Sequence, residues 1–304
     1  MKLCSAILLL SGMILSSTAH AQEADSTMTR TLDPIVVTAE RVASALSSST
    51  VGVSVLTTRD LRVLPNRNAS SLLGFIQGMT FLDFHGLGYS PQSVTRGFYG
   101  GGEAEYVVVL LNGKPINNLE NGLVNWEQIT ISSSTVVEVL RGGASSLYGD
   151  AAIGAVINVR TEAIQETAGL LRASTGNLGV RTIHASLLSN RYSILGDFSS
   201  SDGFRDHSER KSGTLQGSYQ VVSEEDRTLV LSASLNVREF DTPGPLLSTD
   251  ITDDGTESLA FFQFDGAEEQ TFRASLDGGW QASMGKIDAS ITGELRNQDL
   301  IRTL

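Results

Sequence analysis

Side chains able to act as a nucleophile, a base or a metal ligand are scattered along this chain. The four histidines, His20, His85, His184 and His207, fall in separate segments. Ser145 lies among glycines and serines, yet it lacks the strand-to-helix elbow and the His and Asp partners of a serine nucleophile, so a turn role is the better reading. Residues 97–102 are glycine-rich but lack the lysine and following helix of a phosphate loop. Asp250, Asp253 and Asp254, with Glu257 and Gly255, form an oxygen-rich stretch that suits calcium; its spacing fits no complete calcium loop, and a solvated acidic loop is the plainer reading. No catalytic constellation assembles, so no enzyme and no cofactor are expected.

The net charge is −12, the pI is near 4.8, and the lysines and arginines are dispersed. Binding to nucleic acid needs a basic face that displaces counterions, so it is not expected. Charged residues make up only 18% of a chain with 30 glycines, a composition of strands and turns. Lys2, an apolar run over 6–15 and Ala19-His20-Ala21 have the three parts of a secretory signal. That run is about half of the roughly 20 residues a membrane-crossing helix needs. Cleavage after residue 21 would also remove Cys4, the one cysteine, and with it any disulfide or thiolate metal site.

The most specific stretch is 135–161, TVVEVLRGGASSLYGDAAIGAVINVRT. It reads as a strand, a glycine corner at Arg141-Gly142-Gly143 with Ser145 and Ser146 able to cap a short turn, and a second strand. It closely resembles the end of the plug domain of TonB-dependent outer-membrane receptors. Gly143 stands where that family usually has proline, Ala155 where it has glycine, and Thr135-Val136 where a Glu-Arg pair is common. Upstream, a strand at 51–56, a short helix from Thr58 or Asp60, a helix over 68–77, strands near 81–84, 93–96 and 106–111, and an Asn112-Gly113 turn repeat the order of the plug, with Asn112 in place of its usual aspartate. Residues Asp33, Pro34, Ile35, Val36, Val37, Thr38 and Ala39 look like a TonB box, an extended segment able to add itself as a strand to an edge of TonB.

From residue 169 the pattern changes to period-two strands with one apolar and one polar face, in segments of roughly ten residues as in outer-membrane barrels. Short connections at 189–191, 223–226 and 283–285 alternate with long ones at 202–211 and 241–269; the short ones would be periplasmic and the long ones outward. A soluble β-sandwich would alternate too, and the signal and plug decide for the barrel. About seven strands are counted, against about 22 in plugged barrels. The expected fold is therefore an α+β plug domain followed by antiparallel transmembrane β-barrel strands, with the barrel incomplete in an N-terminal fragment. The expected division is a signal peptide at 1–21, a flexible segment with the TonB box at 22–45, the plug at 46–165 and the start of the barrel at 166–304.

The resemblance implies an outer-membrane receptor of a Gram-negative bacterium that takes up a scarce solute with force from TonB, supplied through ExbB/ExbD, in contact with outer-membrane lipid. A ferric siderophore is the favoured cargo, with cobalamin or haem as alternatives, and a passive porin or adhesin barrel as the other class. A signalling receptor would carry a domain of about 80 residues ahead of the box, by the same resemblance, where 22–32 has no room for one. If the turn at 98–105 is periplasmic, the loops at 85–91 and 115–125 share the opposite side. His85, Tyr89, Asn117, Asn118 and Asn121 are then the ligand-contact candidates, able to stack on and hydrogen-bond a polar chelate. Arg96 and Arg141 are expected to pair with inward acids such as Asp197 or Glu294.

Overall fold

The computed structural model describes residues 35–36, 44–48, 51–64, 68–82, 91–99, 106–249, 251 and 255–303. Two short strands, β1 (Ile35–Val36) and β2 (Ser44–Ala45), pair antiparallel. They are followed by β3 (Val53–Leu56), α1 (Thr58–Val63), α2 (Ala69–Leu73), β4 (Met79–Leu82), β5 (Gln92–Thr95), β6 (Val107–Leu111), β7 (Lys114–Pro115), β8 (Thr135–Arg141), the single-turn α3 (Ser145–Tyr148) and β9 (Ala155–Thr161). Five of these strands form one sheet in the order β3-β8-β9-β6-β7, with β6 and β9 parallel and the other pairs antiparallel; β4 and β5 form a separate hairpin.

The near-continuous apolar run of β6 follows from its place inside this sheet, which is covered on both faces. Val107 and Val109 join a core with Leu73, Ile76, Trp126, Val137, Val139, Ile157 and Val159. Val108 and Leu110 face the other way, onto Leu140, Ala144, Ala152 and Val156. Glu138 on β8 is fully buried and pairs with Arg160 on β9 at 2.9 Å. At the end of β6, Asn112 (φ 50°) and Gly113 (φ 81°) make the left-handed two-residue turn that suits the twist of antiparallel strands. The Asn112 side-chain oxygen accepts from Thr161 N–H at 2.9 Å, and Asn158 accepts from Gly113 N–H at 3.1 Å, so amide groups tie the turn to β9.

The Arg-Gly-Gly corner uses its glycines unequally. Gly142 has φ 117°, where a side chain would be strained, and a β-carbon there would lie 3.3 Å from the Arg96 guanidinium. Gly143, at the position usually held by proline in the family, is not in the left-handed region. Ser145 does not cap α3. The cap position is Ala144, without a side-chain bond, and the Ser145 hydroxyl instead donates to Ala152 O at 3.3 Å, closing the corner from inside. The helix expected over 68–77 is confined to α2, capped by Asn68, with Gly74 at its end. Leu72, Leu73 and Ile76 are buried as its pattern required.

Seven longer strands form a second, antiparallel sheet in strict sequence order: β10 (Ala168–Thr175), β11 (Arg181–Leu188), β12 (Tyr192–Ser201), β13 (Arg210–Ser223), β14 (Arg227–Asp241), β15 (Gly266–Ala282) and β16 (Gly285–Ile301). Short turns and long loops alternate between its two ends as expected. The last two strands have 17 residues each, longer than the roughly ten expected, and they pair along their whole length. The side-chain pattern is inside out for a soluble sandwich. Leu215, Tyr219, Leu231, Leu235, Phe272, Leu276, Trp280 and Ile291 are 43–76% exposed on one face, whereas Ser212, Thr214, Gln216, Asn236, Thr271, Arg273 and Ser275 on the other are 3–8% exposed.

In α1, Thr57 and Asp60 form a reciprocal capping box: Thr57 N–H and Oγ1–H both donate to the Asp60 carboxylate, at 2.9 and 2.7 Å. The hydrogen bond from the Thr57 side chain is the main reason the Asp60 pKa lies below its ordinary value. The stabilisation is therefore present above the ordinary carboxylate range and is lost as pH falls through the lowered pKa. Thr57→Ala should cost this helix about 1 kcal/mol at neutral pH, read as about fivefold faster amide exchange over residues 58–64, and the difference from the parent should shrink on acidification.

Candidate functional site

The polar face of the seven-stranded wall meets the smaller sheet through a seam of hydrogen bonds. Its centre is a 3-10 turn, Trp126–Gln128, opened by Asn125. Trp126 is a fixed pivot: its ring is buried, stands edge-on to Phe81 at 5.1 Å, and its indole N–H donates to Pro91 O at 2.9 Å. Around it, Asn125 donates to Asn236 Oδ1 at 2.9 Å, Thr214 donates to Glu127 O at 2.7 Å, and the Gln216 amide donates to Gln128 O. The Glu127 carboxylate lies 3.1 Å from Arg210 and 4.0 Å from Arg238, and Arg238 in turn holds Glu269 with two contacts of 2.8 Å. Nearer the short-turn end of the wall, Lys114 pairs with Asp277 at 2.6 Å.

Two of the expected TonB-box residues, Ile35 and Val36, form β1 and pair with Ala45 and Ser44. Asp33, Pro34, Val37, Thr38 and Ala39 lie outside the described residues, as do His85, Tyr89, Asp250, Asp253 and Asp254. Asn117 is occupied structurally: its oxygen accepts from Val109 N–H, and its amide donates to Val107 O and Gly122 O. One lone pair is left for anything else. Asn118 and Asn121 each accept one backbone N–H two residues on, from Glu120 and Leu123, which shapes the loop. Leu119, between them, is 95% exposed.

The expected pairing of Arg96 and Arg141 with wall acids is corrected. Asp197 pairs with His184 at 2.9 Å and Glu294 with Arg273 and Arg296, whereas Arg141 donates to Gln77 O at 3.4 Å, so the wall acids are used by wall bases. Arg96 sits in a tight left-handed turn with Gly97, between Thr95 and Phe98.

Other functional-looking groups carried no sequence signal, because they join residues far apart in the chain. Arg205 donates to Glu257 O, Gly244 O and Pro243 O, stapling the two long loops of the wall together. His207, Glu209 and Asp241 bring one nitrogen and two carboxylate oxygens within 4.8 Å of one another, a set of metal-ligating types. His207 Nε2 also lies 2.8 Å from Asp265 O.

Asn117→Ala should lower stability by about 2–3 kcal/mol, since it leaves a backbone N–H and two carbonyls without their partner, and this would appear as a lower unfolding midpoint. Asn118→Ala and Asn121→Ala each remove one exposed hydrogen bond and should lower stability by no more than about 1 kcal/mol, a smaller shift of the unfolding midpoint than in Asn117→Ala.

Comparison with known proteins accounts for this two-sheet arrangement. Residues 45–156 match the profile of the TonB-dependent Receptor Plug Domain. The vitamin B12 transporter BtuB of Vibrio cholerae serotype O1 is 31% identical over 160 residues, which is 52% of this chain and 25% of that protein. The same transporter of Vibrio vulnificus is 29% identical over 150 residues, 49% of this chain and 23% of that one. The chain thus spans about a quarter of the length of the curated relatives it matches. Among solved structures, the ferric yersiniabactin uptake receptor FyuA from Yersinia pestis superposes with a TM-score of 0.65 at 14% identity, over 84% of this chain and 43% of that one. The ferripyoverdine receptor of Pseudomonas aeruginosa bound to ferripyoverdine gives 0.63 at 16%, over 89% and 38%. Residues 45–156 thus carry a TonB-dependent receptor plug domain, and the strands that follow share the fold of the corresponding strands in the solved receptors.

Proposed function

We propose that this chain is the plug and first part of the barrel of a receptor for active uptake of a scarce metal chelate across the outer membrane, powered by TonB. The observation that carries the reading is the inverted wall, whose apolar face is exposed while its hydroxyls, amides and guanidiniums close onto a folded domain. Such a face suits lipid, and a folded domain seated on the other face leaves force as the means of opening a path. In this reading residues 1–21 are removed as a signal peptide, 22–45 form the tether, 46–165 the plug and 166–304 barrel wall.

The tether carries the contact with TonB through residues 33–39. In this structure Ile35 and Val36 are held in a ladder of only two residue pairs. An isolated pair of strands that short is marginal in water, so a sheet edge of TonB can replace it. Asn118, Asn121, His85 and Tyr89 are the proposed solute contacts. A ferric siderophore is the first cargo class, consistent with the kind of solute bound by the solved receptors of the same fold. Cobalamin is the second, favoured by the 31% identity to a vitamin B12 transporter.

A strain lacking the complete gene, supplied with ferric siderophores or cobalamin one at a time, should lose growth on one of them. Restoring the gene without residues 35–38 should restore surface binding and leave uptake absent; uptake that persists without TonB would refute the active-transport reading. Leu276→Arg, near the middle of β15 on the exposed apolar face, should cost about 2–4 kcal/mol if that face meets lipid, seen as less folded receptor recovered from the outer membrane.

A further inference from the structure

Across four neighbouring strands, Ser193, Ser218, Ser232 and Ser275 stand directly opposite one another in register, forming a row of hydroxyls on the inner face of the wall. One step toward the long-loop end, Arg273 lies opposite Ser234. Between this surface and the plug turn at Asn112 and Lys114 is a cavity of about 50 Å³, lined by Arg273, Ser218, Ser234, Ser275, Asn112 and Lys114. That volume holds a few waters or one small oxyanion.

Arg273 is only 7% exposed. Its Nε donates to Glu294 Oε2 at 3.1 Å and its Nη2 reaches the same oxygen, while Nη1 is buried without a hydrogen-bond acceptor. Glu294 is shared, since its other oxygen lies 3.3 Å from Arg296. Lys114 is held by Asp277, which also accepts from Ser275. Lys114, Arg273 and Arg296 thus face Asp277 and Glu294, three cations against two carboxylates, in a chain whose overall charge is −12. The Nη1 N–H pair of this buried cation, with Glu294 already engaged by Nε and Nη2 and by Arg296, is left among hydroxyls and an amide without an acceptor of its own.

We propose that this cavity is an oxyanion site, taking a carboxylate or phosphate-type group on Arg273 Nη1 with the hydroxyls of Ser234 and of Ser218, whose partner Ser193 lies 2.7 Å away, as further donors. Its existence does not depend on the transport reading; its role as a station between wall and plug rests on it. The anion comes either from solution or as a group borne by the transported solute.

The test uses the complete receptor in detergent, with inorganic phosphate replacing chloride at constant ionic strength. Phosphate should raise the thermal unfolding midpoint in a saturable way by mass action. Arg273→Gln should weaken apparent phosphate binding by at least about tenfold, because it removes the charged donor but leaves Glu294 with Arg296. Ser218→Ala provides a milder second variant and should weaken it less. No phosphate-dependent shift in the parent, or the same shift in Arg273→Gln, would overturn the site and leave only water in the cavity. If phosphate binding fails in Arg273→Gln, cellular uptake separates the sources. Uptake slowed with surface binding intact assigns the anion to the solute, and unchanged uptake assigns it to solution. Loss of TonB dependence would defeat the transport reading without touching the phosphate result.

Discussion

A sheet that turns its apolar residues outward must satisfy the polar residues it turns inward, and everything else in this structure answers to that requirement. Gln216, Asn236, Arg238, Glu269, Arg273 and Ser275 are withdrawn from the surface on the inner face. Buried polar groups are tolerated only when they are paired. Cross-strand pairs within the wall meet part of the demand, as in Arg238 with Glu269 and Arg273 with Glu294. The plug meets another part with the backbone carbonyls of Glu127 and Gln128 and the side chain of Asn125. The seam is therefore polar because the wall is inverted.

The interior of the plug follows the opposite rule. Valines and isoleucines of β6, β8 and β9 pack on both faces, and water gains little by entering there. Its buried Glu138 keeps the Arg160 partner, and breaking such a pair from one side is costly. The seam, by contrast, is built of hydrogen bonds, whose net contribution is small where water offers equivalents, together with the Glu127–Arg210 and Lys114–Asp277 pairs. Apolar cohesion is thus concentrated within the domain, and its border is held by polar contacts.

Much of the fold was legible in the sequence because its two sheets have different periods. Alternation at Leu215, Tyr219, Leu231 and Leu235 marked the wall strands, and the near-unbroken run of β6 marked a strand covered on both faces. Asn112-Gly113 announced its turn chemically. The α2 boundary was less legible, since Leu72, Leu73 and Ile76 keep a helical spacing although only two of them lie within the helix. The seam was illegible: Glu127 meets Arg210 and Asn125 meets Asn236 across more than 80 residues of chain. Nothing local distinguishes those residues from neighbours that face solvent. The pairing expected for Arg141 failed for the same reason, because closer bases on β11, β15 and β16 had already engaged Asp197 and Glu294.

The position of β3 carries a consequence for how the plug would yield. It is the first strand of its sheet in chain order, it lies at the edge, and it is joined to β8 through four residue pairs from Val53↔Leu140 to Leu56↔Val137. Val53 is the end nearest the chain's N-terminal segment, while the strands β6 and β9 that fill the sheet centre are further along the chain. Tension entering at Val53 and directed along β3 toward Leu56 doubles the strand back on itself and opens its ladder one rung at a time, as a zip runs, whereas β8, β9 and β6 are reached only after that edge has peeled away.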